Sequence, residues 1–278
     1  MSIPPGSTVE LDRKMQRLHE SYWESQRLAA GRKTVLLVEG DDDRDVIEVF
    51  LERRSPTFAA RVRVVSAGGR ARVLARMKQF FPMAYALVDR DTWTDTEVAA
   101  YRHAEPRLYV TEGWCLENVF FDPNMLRRHD ARVAEAVSSQ REDWVRSGAF
   151  WWTLQRAREA QQRWQEDLNW SYGSLRKDLD LGSAQSLADS LNQKIREEVR
   201  RDSTLDVAAV ADMFAARCAE VLSLSEAQQW QVGVHGKSAF SELLVPALGS
   251  TVRVARLDLA SQIDRPPPLD ELIAILLP

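Results

Sequence analysis

Four carboxylates, Glu39, Asp43, Asp89 and Asp91, form the pattern most able to do chemistry. Glu39 closes the apolar run TVLLVEG (34–40), and Asp89 and Asp91 follow AYALV (84–88). Asp89 and Asp91 are two apart, so in an extended chain they point to the same side. Asp43 stands four residues after Glu39, one helical turn on, and can face back to the same spot. Carboxylates gathered in one crevice repel one another unless a cation sits among them. Oxygen ligands without an accompanying His or Cys set suit Mg²⁺ or Mn²⁺ rather than zinc. Such an ion can activate water and offset charge on a transferring phosphoryl group. Each acid alone has an ordinary explanation. Asp41–Asp43 can cap a helix, Asp89 can cap the next one, and Asp91 can pair with Arg90 or Arg70. Joint placement at two strand ends favours the metal site.

Other chemistries find less support. Gly236-Lys237-Ser238 looks like the end of a phosphate-binding P-loop, but the glycine required five positions earlier is Gln231. A P-loop ATPase is therefore not expected in this chain. His235 is a candidate proton carrier, although a lone histidine more often packs or hydrogen-bonds. His19, His103 and His129 have no partners at ligand spacing. Cys115 and Cys218 make neither a disulfide framework nor a zinc pattern. No Gly-x-Ser-x-Gly motif is present, and nothing marks Tyr85, Tyr101, Tyr109 or Tyr172 as a nucleophile.

The acids need elements to position them. Residues 9–30 read as a helix, with Leu11, Met15, Leu18 and Tyr22 at helical spacing. TVLLV is continuously apolar, as in a strand buried on both faces. Val46, Ile47, Phe50 and Leu51 then mark a helix whose first turn holds Asp41–Asp43. RVRVV (61–65) reads as a second strand. Gly68–Gly69 breaks it, and a helix with Val73, Leu74, Met77 and Phe80 runs to Pro82. AYALV and RLYVT (107–111) are the third and fourth strands. This β-α-β-α-β-α-β order predicts a parallel sheet with covering helices, an α/β fold.

From 124 to 229 strand signals vanish and helical stretches dominate (130–168, 184–201, 206–222). Trp144, Trp151, Trp152, Trp164 and Trp170 concentrate there, and such a cluster reads as core or helix seam before it reads as a partner-binding face. Signals are mixed again from Trp230. VRVARLDL (252–259) alternates like a strand, and PPP (266–268) breaks the chain before a short apolar helix. The expected division is an N-terminal helix (1–30), an α/β core (31–123), a helical insertion (124–229) and a C-terminal return to the core (230–278).

Composition agrees with a globular chain. Of 278 residues, 45% are hydrophobic and 28% charged, enough to bury a proper core. No apolar run is long enough to span a membrane and no signal-peptide stretch opens the sequence, so a cytoplasmic location is expected. The net charge of −4 is no nucleic-acid signature, but its distribution matters. No Asp or Glu lies between Arg53 and Val88, while Arg53, Arg54, Arg61, Arg63, Arg70, Arg72, Arg76 and Lys78 do. The segment reads equally as a track for phosphates and as a solvated helix face.

LLVEGDDD (36–43), AGGR (67–70), LVDRD (87–91) and LEN (116–118), in that order, resemble a TOPRIM domain of the overcoming-lysogenization-defect nuclease type. Stand-alone relatives of that type work beside an ABC-type ATPase in PARIS-like anti-phage systems. The resemblance covers residues 31–122 and returns near 230–250. It implies a TOPRIM-like Rossmannoid sheet with a large α-helical insertion. It matches Glu39 to the motif glutamate, Asp89 and Asp91 to the DxD, Asp43 to the second acid and Glu117–Asn118 to the E-N pair, so that Glu117 adds a fifth carboxylate. HGK (235–237) is similar to a late motif whose lysine, here Lys237, lies near the metals. Cys115 departs from the pattern, standing where such nucleases carry a small hydroxyl residue, and a buried thiol is a poor Mg²⁺ ligand.

The expected function is that of a metal-dependent nuclease, antiviral and toxin-like. Glu39, Asp43, Asp89, Asp91 and Glu117 would hold Mg²⁺ or Mn²⁺. Glu39, Asp89, Asp91 and Lys237 would be catalytic, and Arg53, Arg54, Arg70, Arg72, Arg76 and Lys78 would bind nucleic acid. The resemblance adds an ATPase partner that restrains the nuclease until infection, with RNA, including tRNA, or DNA as substrate. Oligomer formation stays open. The rival is a non-catalytic TOPRIM-like binding or scaffold subunit whose acids are structural. A topoisomerase- or primase-like enzyme lacks its gate or zinc module.

Overall fold

The computed structural model describes residues 8–79, 83–160, 178–198, 206–263 and 267–277. The expectations about Trp164, Trp170, Pro82, Pro266 and the helix stretches 161–168 and 199–201 lie outside these residues. The helices are α1 (Thr8–Ala30), α2 (Asp41–Arg54), α3 (Arg70–Gln79), α4 (Asp95–Ala104), α5 (Pro123–His129), α6 (Ala131–Ser138), α7 (Arg141–Ala160), α8 (Ala184–Glu198), α9 (Val207–Leu222), α10 (Glu226–Val232), α11 (Gly236–Ala239), α12 (Val245–Leu248), α13 (Val252–Gln262) and α14 (Pro267–Leu276). The strands are β1 (Thr34–Val38), β2 (Val62–Ser66), β3 (Tyr85–Val88) and β4 (Leu108–Val110). Short 3-10 and π turns occupy Leu116–Phe121 and Phe240–Leu244. The chain divides into a sheet unit (Met1–Val88, Ala100–Val110, Pro267–Pro278) and a helical unit (Asp89–Ala99, Thr111–Pro266).

In the sheet unit the described strands form one all-parallel sheet in the order β2-β1-β3-β4. The α/β class expected from the alternation is present. β1 is an inner strand, and Val35–Val38 are all buried, which is why its sequence is apolar without alternation. α2 buries Val46, Ile47, Phe50 and Leu51, one stripe at helical spacing. Side chains of this size each contribute roughly 1.5–3 kcal/mol when fully buried. From β1 the chain steps to β2 on one side, then crosses to β3 on the other. The strand order thus reverses between β1 and β3, and ligands of open parallel sheets gather at the carboxyl ends of such strands.

Gly68 and Gly69 turn the chain from β2 into α3 at φ +81 and +116, a region that favours glycine. Both backbone N–H groups donate to the Glu39 carbonyl, at 2.8 and 2.9 Å. The AGGR segment therefore ties the start of α3 to the end of β1.

The helical unit has its own core. Phe150, Leu154, Leu187, Leu191, Val210 and Phe214 bring α7, α8 and α9 together. Trp144 is buried, and Trp230 is buried against Phe121 in a stack 4.8 Å between centroids. Trp151 and Trp152 are partly buried. The Trp152 indole N–H donates to Thr92 O, with the Arg217 guanidinium 5.0 Å from its ring.

The strand expected at 252–259 is wrong: these residues belong to α13. Val252 and Val254, which create the apparent alternation, are exposed, while Ala255, Arg256, Leu259 and Ala260 are buried. The buried set follows helical spacing, and packing of that face outweighs the alternation. Among the described residues no helix is long and apolar enough to cross a membrane.

Candidate functional site

The helical unit gathers a buried group of charges directly after β3. Asp89 is buried, and both its oxygens are engaged. Oδ1 accepts from the backbone N–H of Leu116 at 3.0 Å, and Oδ2 accepts from Lys237 Nζ at 2.5 Å. Leu116 opens the turn Leu116–Phe121, whose first N–H groups have no partner inside the turn. Asp89 thus caps a helical turn that is distant in sequence. Lys237 comes from α11, and its side chain is 44% exposed against 5% for Asp89. The cation reaches a buried carboxylate from an open edge.

Glu117 is the second buried acid. Its Oε1 accepts from Arg256 at 3.3 Å, and both side chains are almost fully enclosed. Burial pushes the Glu117 carboxyl above the usual carboxylate range, Lys237 opposes that shift and Asp89 adds to it. Glu117 Oε2 is buried with no hydrogen-bond partner among the described residues. Burial first, then the Glu117 and Asp89 charges, push the Cys115 thiol well up. A protonated Cys115 is the stable form here. Arg256 is not legible as a site residue in the sequence, because its segment alternates like a strand. Helical spacing of Ala255, Leu259 and Ala260 was the available signal.

Asn118 locks this group together. It is fully buried and makes three strong bonds. Its Nδ2 donates to Trp230 O at 2.7 Å and Val234 O at 3.0 Å, and its Oδ1 accepts from Cys115 N at 2.8 Å. The loop that carries Lys237 is thereby held against the turn that carries Glu117. A Cβ on Gly236 would come within 2.5 Å of Asn118 Oδ1 and 2.7 Å of Cys115 Sγ. Only glycine lets the backbone pass so close. Gln231 belongs to the same seam, its O accepting from Trp114 N and its Nε2 donating to Asn118 O.

His235 caps α11: its Nδ1 accepts from Ser238 N. Its ring packs edge-on against Trp114, with centroids 5.5 Å apart. Burial, then the Lys237 charge, lower its pKa to about 4. The histidine is neutral near pH 7 and holds a turn.

Asp91 departs from the extended geometry assumed for it. β3 ends at Val88, and Asp91 sits at φ +50, the one non-glycine residue with positive φ among those described. Its N–H donates to Trp114 O at 2.7 Å. Asp tolerates this conformation better than most residues, at a cost of about 1 kcal/mol. The rule that residues two apart share a side therefore does not apply to Asp89 and Asp91. Arg90 pairs with Asp95 at 2.6 Å.

The sheet unit holds the remaining acids. Glu39 follows β1 at the carboxyl end where the strand order reverses. Asp43 is buried in the first turn of α2, and its Oδ2 accepts from Gly40 N at 2.8 Å. It performs the capping role that the sequence also allowed.

The basic segment does not form one track. Arg70 and Arg72 open α3 at the carboxyl end of β2, whereas Arg53, Arg54 and Arg61 lie at the other end, where α2 stops and β2 begins. Arg76 and Lys78 close α3 at that same amino end, because each helix runs back against its strand. Arg76 stacks over Trp23 at 5.1 Å and bonds Gln79, so it has a structural role. Arg53, Arg54, Arg72 and Lys78 are exposed, and Arg70 is partly buried.

The donor chemistry here suits a hard divalent cation: carboxylate oxygens, with Glu117 Oε2 left unsatisfied. Among the described residues, however, no three His, Cys, Asp or Glu side chains stand grouped to hold an ion. Lys237 and Arg256 supply the positive charge instead. No protein-family model matches the chain, and no curated protein matches it.

Proposed function

We propose that this chain is a metal-dependent nuclease of TOPRIM type, acting on phosphodiester bonds of RNA, including tRNA, or DNA. The observation that carries the reading is the Asp89–Lys237 pair beside buried Glu117, directly after an inner strand of a parallel sheet. Asp89 and Glu117, with Asp91 of the same helical unit, would hold the ion; Glu39 and Asp43 are named as further ligands by the motif resemblance alone. Mg²⁺ or Mn²⁺, when bound, supplies Lewis acidity that lowers the pKa of water and offsets phosphoryl charge. Lys237, whose ammonium bonds Asp89, would stabilise charge developing on the phosphoryl group or protonate the leaving oxygen. Glu39 is the candidate general base. Arg70 and Arg72 at the carboxyl end of β2, and separately Arg53, Arg54 and Lys78 at its amino end, would meet the nucleic-acid backbone as two patches. Restraint by an ABC-type ATPase, a cytoplasmic location and an anti-phage role belong to the same proposal and rest on the motif resemblance.

The test is cleavage of tRNA, single-stranded and duplex substrates with Mg²⁺ or Mn²⁺, with Glu39→Ala and Asp89→Asn as controls. Metal-dependent cleavage lost in both variants supports the reading, and a nuclease activity indifferent to both sinks it. A second reading, a non-catalytic TOPRIM-like scaffold subunit, is favoured by one observation: Asp89 and Glu117 are already neutralised by Lys237 and Arg256. Thermal unfolding separates the two. Metal that binds the native state raises Tm by mass action, and a scaffold with self-neutralised acids does not respond.

A further inference from the structure

The sheet unit contains a second candidate site, at the opposite ends of its strands. A cavity of about 570 Å³ opens where α1 ends and where β1 and β3 begin. Its volume falls in the range of small-molecule sites, about 300–1,000 Å³. Arg27, Arg32, Lys33 and Arg107 line it, with Tyr85 and Met83, and no carboxylate is among the lining residues. Cations that line one cavity favour an anion among them.

Cations after the last turn of a helix have an ordinary use, since they offset the negative end of the helix dipole. That accounts for Arg27, Arg32 and Lys33 at the end of α1. Arg107 joins them from a different part of the chain, the segment between α4 and β4. Arg27 already bonds Glu24 at 3.0 Å, outside the cavity lining. Beyond the cavity, Arg53, Arg54 and Arg61 are exposed at the same amino end of the sheet. Their field raises the local concentration of anions. The non-cationic wall is of another kind. The Tyr85 ring lies 6.4 Å from that of Tyr109, and exposed Met83 also lines the cavity. Aromatic rings and thioethers suit the flat face of a nucleobase, and guanidinium groups suit phosphate.

We infer that this cavity binds a nucleoside di- or triphosphate, with Arg32, Lys33 and Arg107 on the phosphates and Tyr85 against the base. The inference is independent of the proposed nuclease centre, and the test keeps the two apart by being run in EDTA. The full chain is titrated by calorimetry and thermal unfolding with ATP, GTP, CTP, UTP, adenosine and inorganic pyrophosphate. At least one triphosphate should bind with a micromolar Kd and raise Tm by several degrees, while adenosine does not. Arg107→Ala, and separately Arg32→Glu with Lys33→Glu, should weaken that binding at least tenfold while leaving the ligand-free Tm within a degree or two. Tyr85→Leu should weaken nucleotides but not pyrophosphate. No binding by any nucleotide overturns the inference, as does binding unchanged in both charge variants. Pyrophosphate binding as tightly as every nucleotide overturns the base contact. A short oligonucleotide that binds through these residues while mononucleotides do not overturns it in favour of a backbone track.

Discussion

Lys237 Nζ lies 2.5 Å from Asp89 Oδ2, although 148 residues separate the two in sequence. The pair joins an exposed ammonium to a buried carboxylate, so its members are not equivalent. Removing the lysine strands a charge in the interior, whereas removing the acid releases a lysine to water.

Lys237→Ala should therefore lower stability by about 1–3 kcal/mol, less than a fully enclosed pair because the lysine is partly solvated. Under the nuclease reading it should also reduce turnover roughly 100-fold. Millimolar Mg²⁺ or Mn²⁺ should restore part of the lost Tm by replacing the missing cation. Urea titration and cleavage kinetics check both. Loss of stability with no metal rescue would favour the scaffold.

Glu117 and Arg256 form the more enclosed pair, at 3.3 Å. Arg256→Met should destabilise by roughly 3–5 kcal/mol, because Glu117 stays buried without its cation. Adding Glu117→Leu should recover most of that loss. A double-mutant cycle read by urea unfolding measures the coupling. Additive losses would mean that the pair contributes no specific coupling.

Asn118→Ala should cost about 3 kcal/mol or more. It leaves the Trp230 and Val234 carbonyls and the Cys115 N–H without their partner in a dry site. Asn118→Asp, which keeps the acceptor and loses both donors, should be comparably damaging. Faster hydrogen exchange at residues 230–238 should accompany either change.

His235 predicts an acid sensitivity with a definite direction. Its folded pKa is lowered to about 4 from an ordinary 6.5. Between those values the unfolded chain binds the extra proton and the folded chain does not, so stability falls as pH drops from about 6.5 toward 4. The full loss is on the order of 3 kcal/mol. His235→Asn keeps a helix-capping oxygen and should flatten that part of the curve. An unchanged slope in the variant would assign the acid sensitivity to other groups.

The basic residues should separate by role. Arg76→Ala should lower stability by about 1 kcal/mol through its lost stack on Trp23. Arg53→Ala with Arg54→Ala should leave Tm unchanged, weaken nucleic-acid binding and reduce its salt dependence. Fluorescence anisotropy at several salt concentrations, paired with thermal unfolding, tells these outcomes apart.

The sequence by itself determined the elements of the sheet. TVLLV and AYALV carry apolar runs of the kind strands covered on both faces need, and RVRVV is a β-branched alternation that suits an edge strand. Asp41–Asp43 and the Gly68–Gly69 pair mark helix starts through charge and φ. These are local signals, decided within one turn or one strand. Tertiary structure decided the charge partners. Nothing near Asp89 in the chain announces Lys237, and nothing near Glu117 announces Arg256, because their approach depends on long-range packing around Asn118 and Gly236. It also decided where short-range rules fail. Asp91 turns to φ +50 just past the end of β3, so the strand rule does not place its side chain on the side of Asp89, and Val252 and Val254 face water because α13 buries its other face. The Arg53–Lys78 segment makes the same point in reverse. It is continuous in sequence, but each helix returns against its strand and carries its charges to opposite ends of the sheet.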